Sequence, residues 1–124
     1  MRKKILIVDD VMFNLDFEEN LLKSLMNELN ITMEIDKALN VKEALEAINK
    51  HDYHSMIIDM NLPDGSGVDI AKEAQKKNEN TYLVGITIFP GEYEANQKYF
   101  DLFLKKPIVL KTYKEQFSRI LQHK

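Results

Sequence analysis

Four short apolar runs each stop at a polar residue, and together they restrict the possible folds more than any other feature. Ile5-Leu6-Ile7-Val8 ends at Asp9-Asp10, and Met56-Ile57-Ile58 ends at Asp59. Tyr82-Leu83-Val84-Gly85-Ile86 ends at Thr87, and Leu102-Phe103-Leu104 ends at Lys105-Lys106-Pro107. Runs of this length, rich in Ile, Leu and Val and without polar alternation, predict strands covered on both faces, as in a parallel sheet. In open α/β sheets the functional crevice lies beyond the carboxyl ends of the strands. Parallel strands would therefore bring three carboxylates, a hydroxyl and an ammonium to one edge.

Helical patterns fill the intervals. Leu15, Leu22, Leu25, Met26 and Leu29 share one helical stripe, and Asn27 to Asn30 predicts its end. Ile31, Met33 and Ile35 alternate with polar neighbours, the pattern of a half-exposed edge strand. Asn40 is placed to cap a helix whose inner residues are Val41, Ala44, Leu45 and Ile48. Pro63-Asp64-Gly65-Ser66-Gly67 is a turn signal, followed by a helix over about 68–77 whose Lys72, Lys76 and Lys77 read as a solvated face. Pro90 suits the first turn of a short helix over 91–99, and Leu110, Tyr113, Phe117, Ile120 and Leu121 form a final amphipathic stripe. Five β-α units with right-handed crossovers predict a five-stranded parallel sheet with helices on both faces.

A chain of 124 residues fits one domain, expected to span 1–124. The net charge of −3 gives no basic footprint, so direct nucleic-acid binding is not expected. Cysteine is absent, which excludes disulfides and thiolate metal sites. No apolar run approaches a membrane span or the core of a signal peptide, so the expected compartment is the cytoplasm.

The convergent residues suit one chemistry. Any one of them alone reads as a helix cap or a surface charge, and only their joint placement at one edge gives them meaning. Clustered carboxylates repel unless a cation neutralises them, and hard oxygen ligands suit Mg²⁺. Phosphoryl transfer needs little beyond in-line positioning and charge neutralisation, and a carboxylate can be the nucleophile. Asp59 is the candidate nucleophile, as the lone carboxylate ending an interior strand. The Asp9-Asp10 pair faces it, and Lys106 and Thr87 are candidates to hold phosphoryl oxygens.

In these residues the chain resembles the receiver domain of bacterial two-component response regulators (CheY-like). The resemblance rests on Asp9-Asp10 with Asn14, on the segment Ala38 to Leu45, on Asp59-Met60-Asn61-Leu62-Pro63-Asp64-Gly65, on Thr87, and on Phe103-Leu104-Lys105-Lys106-Pro107. It implies a flavodoxin-like (βα)5 three-layer sandwich with strand order 2-1-3-4-5. It implies that Asp59 accepts a phosphoryl group from a histidine kinase or histidine phosphotransfer protein. Asp10, Asp59 and the backbone carbonyl of Asn61 would ligate Mg²⁺, with Asp9 ligating directly or through water. Thr87 and Phe103 would be a switch pair, Lys106 would pair with the phosphoryl oxygen, and the Lys106-Pro107 bond would be cis. Beyond its own phosphorylation and dephosphorylation, no enzymatic activity is implied; the output is control of a downstream protein target or separate effector.

Two departures from the family pattern bear on function. Ile88 stands where a small residue is usual, with Phe89 beyond it, and this bulk predicts slow loss of the phosphoryl group. The interval from Thr87 to Lys106 is about three residues short, nearly one helical turn, so the fourth helix should be short and the output surface or a homodimer nonstandard. Met1 and the full final helix favour a complete stand-alone receiver. The alternative is a phosphorylation-independent pseudo-receiver acting as an interaction module. An aspartyl phosphatase is disfavoured by Asn61, where those enzymes place an acid. A flavin protein is disfavoured by the absence of a Ser/Thr/Gly-rich loop after the first strand.

Overall fold

In a computed structural model the structure describes residues 3–122. Its strands and helices are β1 (Lys4–Val8), α1 (Met12–Leu29), β2 (Glu34–Ala38), α2 (Val41–Lys50), β3 (Ser55–Asp59), β4 (Asn61–Leu62), β5 (Gly65–Ser66), α3 (Gly67–Lys77), β6 (Tyr82–Thr87), α4 (Pro90–Asn96), β7 (Leu102–Lys105) and α5 (Leu110–Gln122). The main sheet runs β2-β1-β3-β6-β7, and every pairing in it is parallel. Because β4 and β5 form a separate two-residue ribbon, this is the 2-1-3-4-5 order expected for five main strands.

Alternation along the strands divides the core in two. Ile5, Ile7, Ile57, Val84, Ile86 and Leu104 pack with α1 and α5 through Leu15, Leu22, Tyr113 and Phe117. Leu6, Val8, Met56, Ile58 and Leu83 face α2 and α3, meeting Ala44, Ile48, Ile70 and Ala74. The interior strands are buried on both faces, which is why they read as continuous apolar runs.

Several local expectations need correction. The edge strand lies at Glu34–Ala38 and not over Ile31 to Ile35. Asn30 adopts a left-handed conformation, and the Ile31 amide bonds back to the Met26 carbonyl, so the chain is still closing α1 where the alternation begins. Met33 is buried and Ile31 partly so, which accounts for the apolar signal there without a strand. Leu110 starts the final helix but is exposed. Lys72, Lys76 and Lys77 are all exposed, as expected of a solvated face, and Lys77 Nζ also donates to the carbonyls of Ile48 and His51 and closes the end of α2. The short helix is found as α4 followed by a 3-10 turn, Gln97–Tyr99.

Candidate functional site

The strand register brings the polar ends together. Val8 pairs with Ile58, Asp59 with Ile86, and Thr87 with Lys105, so Asp9, Asp59, Thr87 and Lys106 emerge at one edge of the sheet. The Lys106 amide donates to the Thr87 carbonyl at 2.9 Å, and the Lys106-Pro107 bond is cis.

Asp9, Asp10 and Asp59 each offer a carboxylate oxygen, and these atoms lie within 4.8 Å of one another. Asp9 is buried; Oδ1 accepts from the Val11 amide at 2.9 Å, and the Asn14 side-chain amide reaches both its oxygens at 3.4 and 3.3 Å. Asp10 is exposed at the rim. Asp59 is 6% exposed, with Oδ1 accepting from the Asn61 amide at 3.0 Å and Oδ2 facing Lys106 Nζ at 2.9 Å. The same ammonium lies 3.4 Å from Asp9 Oδ2. All three expected carboxylates are gathered together, two of them, Asp9 and Asp59, around one lysine, and Lys106 rather than Lys105 is the lysine that enters.

Electrostatics follow from this packing. Burial pushes the Asp59 carboxyl above its ordinary range and the nearby Asp9 charge adds to this, against the Asn61 amide and Lys106, which pull it down. Burial alone would lower the Lys106 ammonium, but its hydrogen bonds and charge attraction to Asp59 and Asp9 outweigh that and raise it. Both partners thus shift upward, and the outcome for Asp59 shows that burial and crowding with Asp9 exceed what one ammonium offsets. A cluster with this surplus of negative charge and only hard oxygen donors fits a divalent cation such as Mg²⁺.

Thr87 is buried. Its hydroxyl accepts from the Phe89 amide at 2.9 Å and sits 3.3 Å from the Phe89 carbonyl, tying it to its own loop. Ile88 and Phe89 are both exposed beside the site. Phe103 is half-buried; it pairs with Gly85 across β6–β7, and its ring packs on Phe100 at 4.8 Å. A Cβ on residue 85 would come within 2.6 Å of that ring, so the glycine is what gives Phe103 its place. Gly85 and Thr87 lie two residues apart on the same face of one strand, which puts ring and hydroxyl side by side.

Three features were not assigned roles from the sequence. Asp64 Oδ1 and Oδ2 accept from the Val41 and Lys42 amides at 2.8 and 3.1 Å, binding the loop after Asp59 to the start of α2. Gly67 passes so close to β3 that a Cβ would meet the Asp59 carbonyl at 2.8 Å. Glu18 is buried in α1, and its carboxyl rises to about 8 through desolvation and the charges of Asp9 and Asp59, partly offset by Lys106. Its place three residues after Leu15 and four before Leu22 was the available signal: a charged residue on the apolar stripe.

Among the described residues no helix is long and apolar enough to cross a membrane. The chain is 24% identical to the receiver domain (CheY-like) from Methylobacillus flagellatus, covering 97% of this chain and 99% of that one with a TM-score of 0.81. It is 28% identical to response regulator protein TrrA from Thermotoga maritima, solved in complex with Mg²⁺-BeF, covering 96% and 99% with a TM-score of 0.76. Sensory transduction protein LytR of Staphylococcus saprophyticus is 36% identical over 84 residues. That match takes in 68% of this chain but 32% of the relative, so the likeness covers about a third of the relative's length. The family described as response regulator receiver domain matches residues 5–117. With its parallel sheet and the acidic edge that sheet builds, the chain belongs to the response regulator receiver domain family.

Proposed function

We propose that this receiver accepts a phosphoryl group on Asp59 and uses it to change the surface presented to an output partner. The observation that carries this reading is the gathering of three carboxylate oxygens within 4.8 Å, with Lys106 Nζ 2.9 Å from Asp59 and 3.4 Å from Asp9. In the step proposed, an Asp59 carboxylate oxygen attacks the phosphorus of a phosphohistidine on a histidine kinase or histidine phosphotransfer protein. The new O–P bond gives an acyl phosphate, the N–P bond breaks, and imidazole leaves.

Asp9, Asp10, Asp59 and the Asn61 carbonyl would hold Mg²⁺, whose charge would offset that of the transferring phosphoryl oxygens. The protein supplies the rest. The Asn61 amide and Lys106 hold the two Asp59 oxygens, fixing the nucleophile's orientation. Asn14 and the Val11 amide hold Asp9 toward the same centre. Lys106 can then follow the new negative charge, as an ammonium pairs with phosphoryl oxygen. The Thr87 hydroxyl would leave its contact with the Phe89 backbone for the phosphoryl group, and the Phe103 ring beside it would move with it. The compartment carried over with this reading is the cytoplasm. The output element belongs to the same polypeptide or to a separate protein.

The test is incubation with a small phosphodonor such as acetyl phosphate, with and without Mg²⁺, followed by mass measurement of the intact chain. Mg²⁺-dependent addition of one phosphoryl group, lost in Asp59→Asn, is expected. No addition at any Mg²⁺ concentration would sink the reading and leave the phosphorylation-independent interaction module.

A further inference from the structure

The ribbon that follows Asp59 is anchored at both ends. At its base the Met60 amide donates to the Ile86 carbonyl at 3.0 Å, and the Met60 carbonyl accepts from the Gly67 amide at 3.1 Å. β4 and β5 then pair Asn61 with Ser66 and Leu62 with Gly65, which leaves Pro63 and Asp64 as the turn between them. That turn is seated on α2. Asp64 Oδ1 and Oδ2 accept from the Val41 and Lys42 amides at 2.8 and 3.1 Å, and a Cβ on Gly65 would come within 3.2 Å of the Val41 side chain. Leu62 packs against the core layer that contains Val41 and Ala44.

α2 has caps of its own. Asn40 Oδ1 accepts from the Glu43 amide at 2.8 Å, and Glu43 Oε1 accepts from the Leu39 amide at 2.9 Å. Local bonds of this kind ordinarily start a helix, and the remaining first-turn donors at a surface can be met by water. A carboxylate from 23 residues away that takes two of those donors therefore does more for the loop than for the helix. What lies between the loop's anchors is Asn61. Its amide donates to Asp59 Oδ1 at 3.0 Å, and its carbonyl belongs to the metal set under the proposed function. A backbone carbonyl points where the chain on either side is held, and groups that orient a metal's ligands contribute to its affinity.

We propose that Asp64 is a positioning residue for the metal site: it docks the ribbon on the first turn of α2 and so aims the Asn61 carbonyl. Metal affinity and the order of that turn are then linked, each reinforcing the other. The proposal rests on the reading that the Asn61 carbonyl is a Mg²⁺ ligand. It makes α2, in the layer opposite α1 and α5, an element through which the acidic edge is tuned.

The full chain is titrated with Mg²⁺ alone; amide NMR shifts at residues 59–61 give the midpoint, and hydrogen exchange gives the order of α2. In the parent, exchange at Val41 and Lys42 should slow about fivefold or more at saturating Mg²⁺. Asp64→Ala should abolish that slowing and weaken Mg²⁺ binding by a similar factor. Asp64→Asn removes the same charge but keeps an oxygen for the Val41 amide, so it should hold Mg²⁺ more tightly than Asp64→Ala. Unchanged exchange at Val41 and Lys42 in the Mg²⁺-saturated parent overturns the proposal and leaves the metal set standing, as does parent-like Mg²⁺ affinity in Asp64→Ala. Slowing that persists in Asp64→Ala is general stabilisation and overturns it as well. Equal weakening in the two variants is the mark of lost charge alone and has the same consequence. A parent that binds no Mg²⁺ overturns the metal set and the proposal together.

Discussion

Glu18 shows how one residue can set the response of the whole chain to pH. Its folded carboxyl titrates at about 8 against an ordinary value of 4.5, chiefly because it is buried and secondly because of Asp9, with Asp59 adding and Lys106 opposing. Across α1, Tyr113 on α5 also feels Glu18, which adds to the burial that raises the phenol. Between pH 4.5 and 8 the unfolded chain therefore binds fewer protons at this position than the folded one. Stability should fall as pH rises through that window and level off above it. Glu18→Gln removes the titration: urea unfolding should show little difference from the parent near about pH 5, and the variant more stable by roughly 2 to 4 kcal/mol near about pH 8. Parallel pH profiles for the two proteins would contradict the burial of a neutral acid. Phe89 acts at the same scale on lifetime. It is exposed and, with Ile88, presents apolar surface on the loop after Thr87, which in the proposed function would leave an attacking water without a polar group to orient it. Phe89→Glu places a carboxylate there, and loss of the phosphoryl group should quicken about tenfold or more. An unchanged lifetime in a mass-based decay series would rule this out.

Among the elements, α2 shows what a sequence pattern reveals and what it hides. The Asn40 cap was legible, and its Oδ1 accepts from the Glu43 amide at 2.8 Å as the pattern predicts. Invisible was the second cap from Asp64, twenty-three residues away in sequence, whose carboxyl is held low chiefly by the Val41 amide it accepts from. Local patterns carry local hydrogen bonds, and a cap supplied from another loop leaves no periodicity to read. Asp64→Ala should loosen the start of α2 and speed hydrogen exchange at Val41 and Lys42. If those amides stay as protected as in the parent, the link between the loop after Asp59 and α2 is unimportant. The edge strand was misplaced for a related reason. Ile31 and Met33 alternate because they cover the end of the core near α1, and burial outside a ladder looks the same in sequence as burial within one. The interior strands β1, β3 and β6 carried no such ambiguity, since layers on both faces demand unbroken apolar runs.

At the scale of the molecule, the parallel sheet is the device that joins acidic edge to outer surface. The residues proposed for the site were legible because topology alone sends Asp9, Asp59, Thr87 and Lys106 to one end of four strands. What topology could not show was the coupling between them, which depends on side-chain space. Gly85 is the case in point: it pairs with Phe103, and its missing Cβ is what lets the ring lie against β6 two residues from Thr87. A methyl at this position would meet ring carbons at 2.6 to 3.1 Å, nearer than atoms approach without displacement. The ring is at the end of a side chain with space toward the outside, so it can yield where the strand cannot. Gly85→Ala should therefore leave the fold intact at a cost of about 1–3 kcal/mol while driving Phe103 from its present position. If ring position and phosphoryl site share one two-state equilibrium, that displacement must alter affinity for a phosphoryl mimic. A coupling of 1–3 kcal/mol corresponds to roughly a 5- to 150-fold change. The measurement is the midpoint of Mg²⁺-beryllofluoride titration, followed by NMR of a fluorinated phenylalanine at position 103. A shifted ring signal with an unchanged midpoint would show that Phe103 moves independently of Asp59, and the switch would have to be sought elsewhere in the sheet.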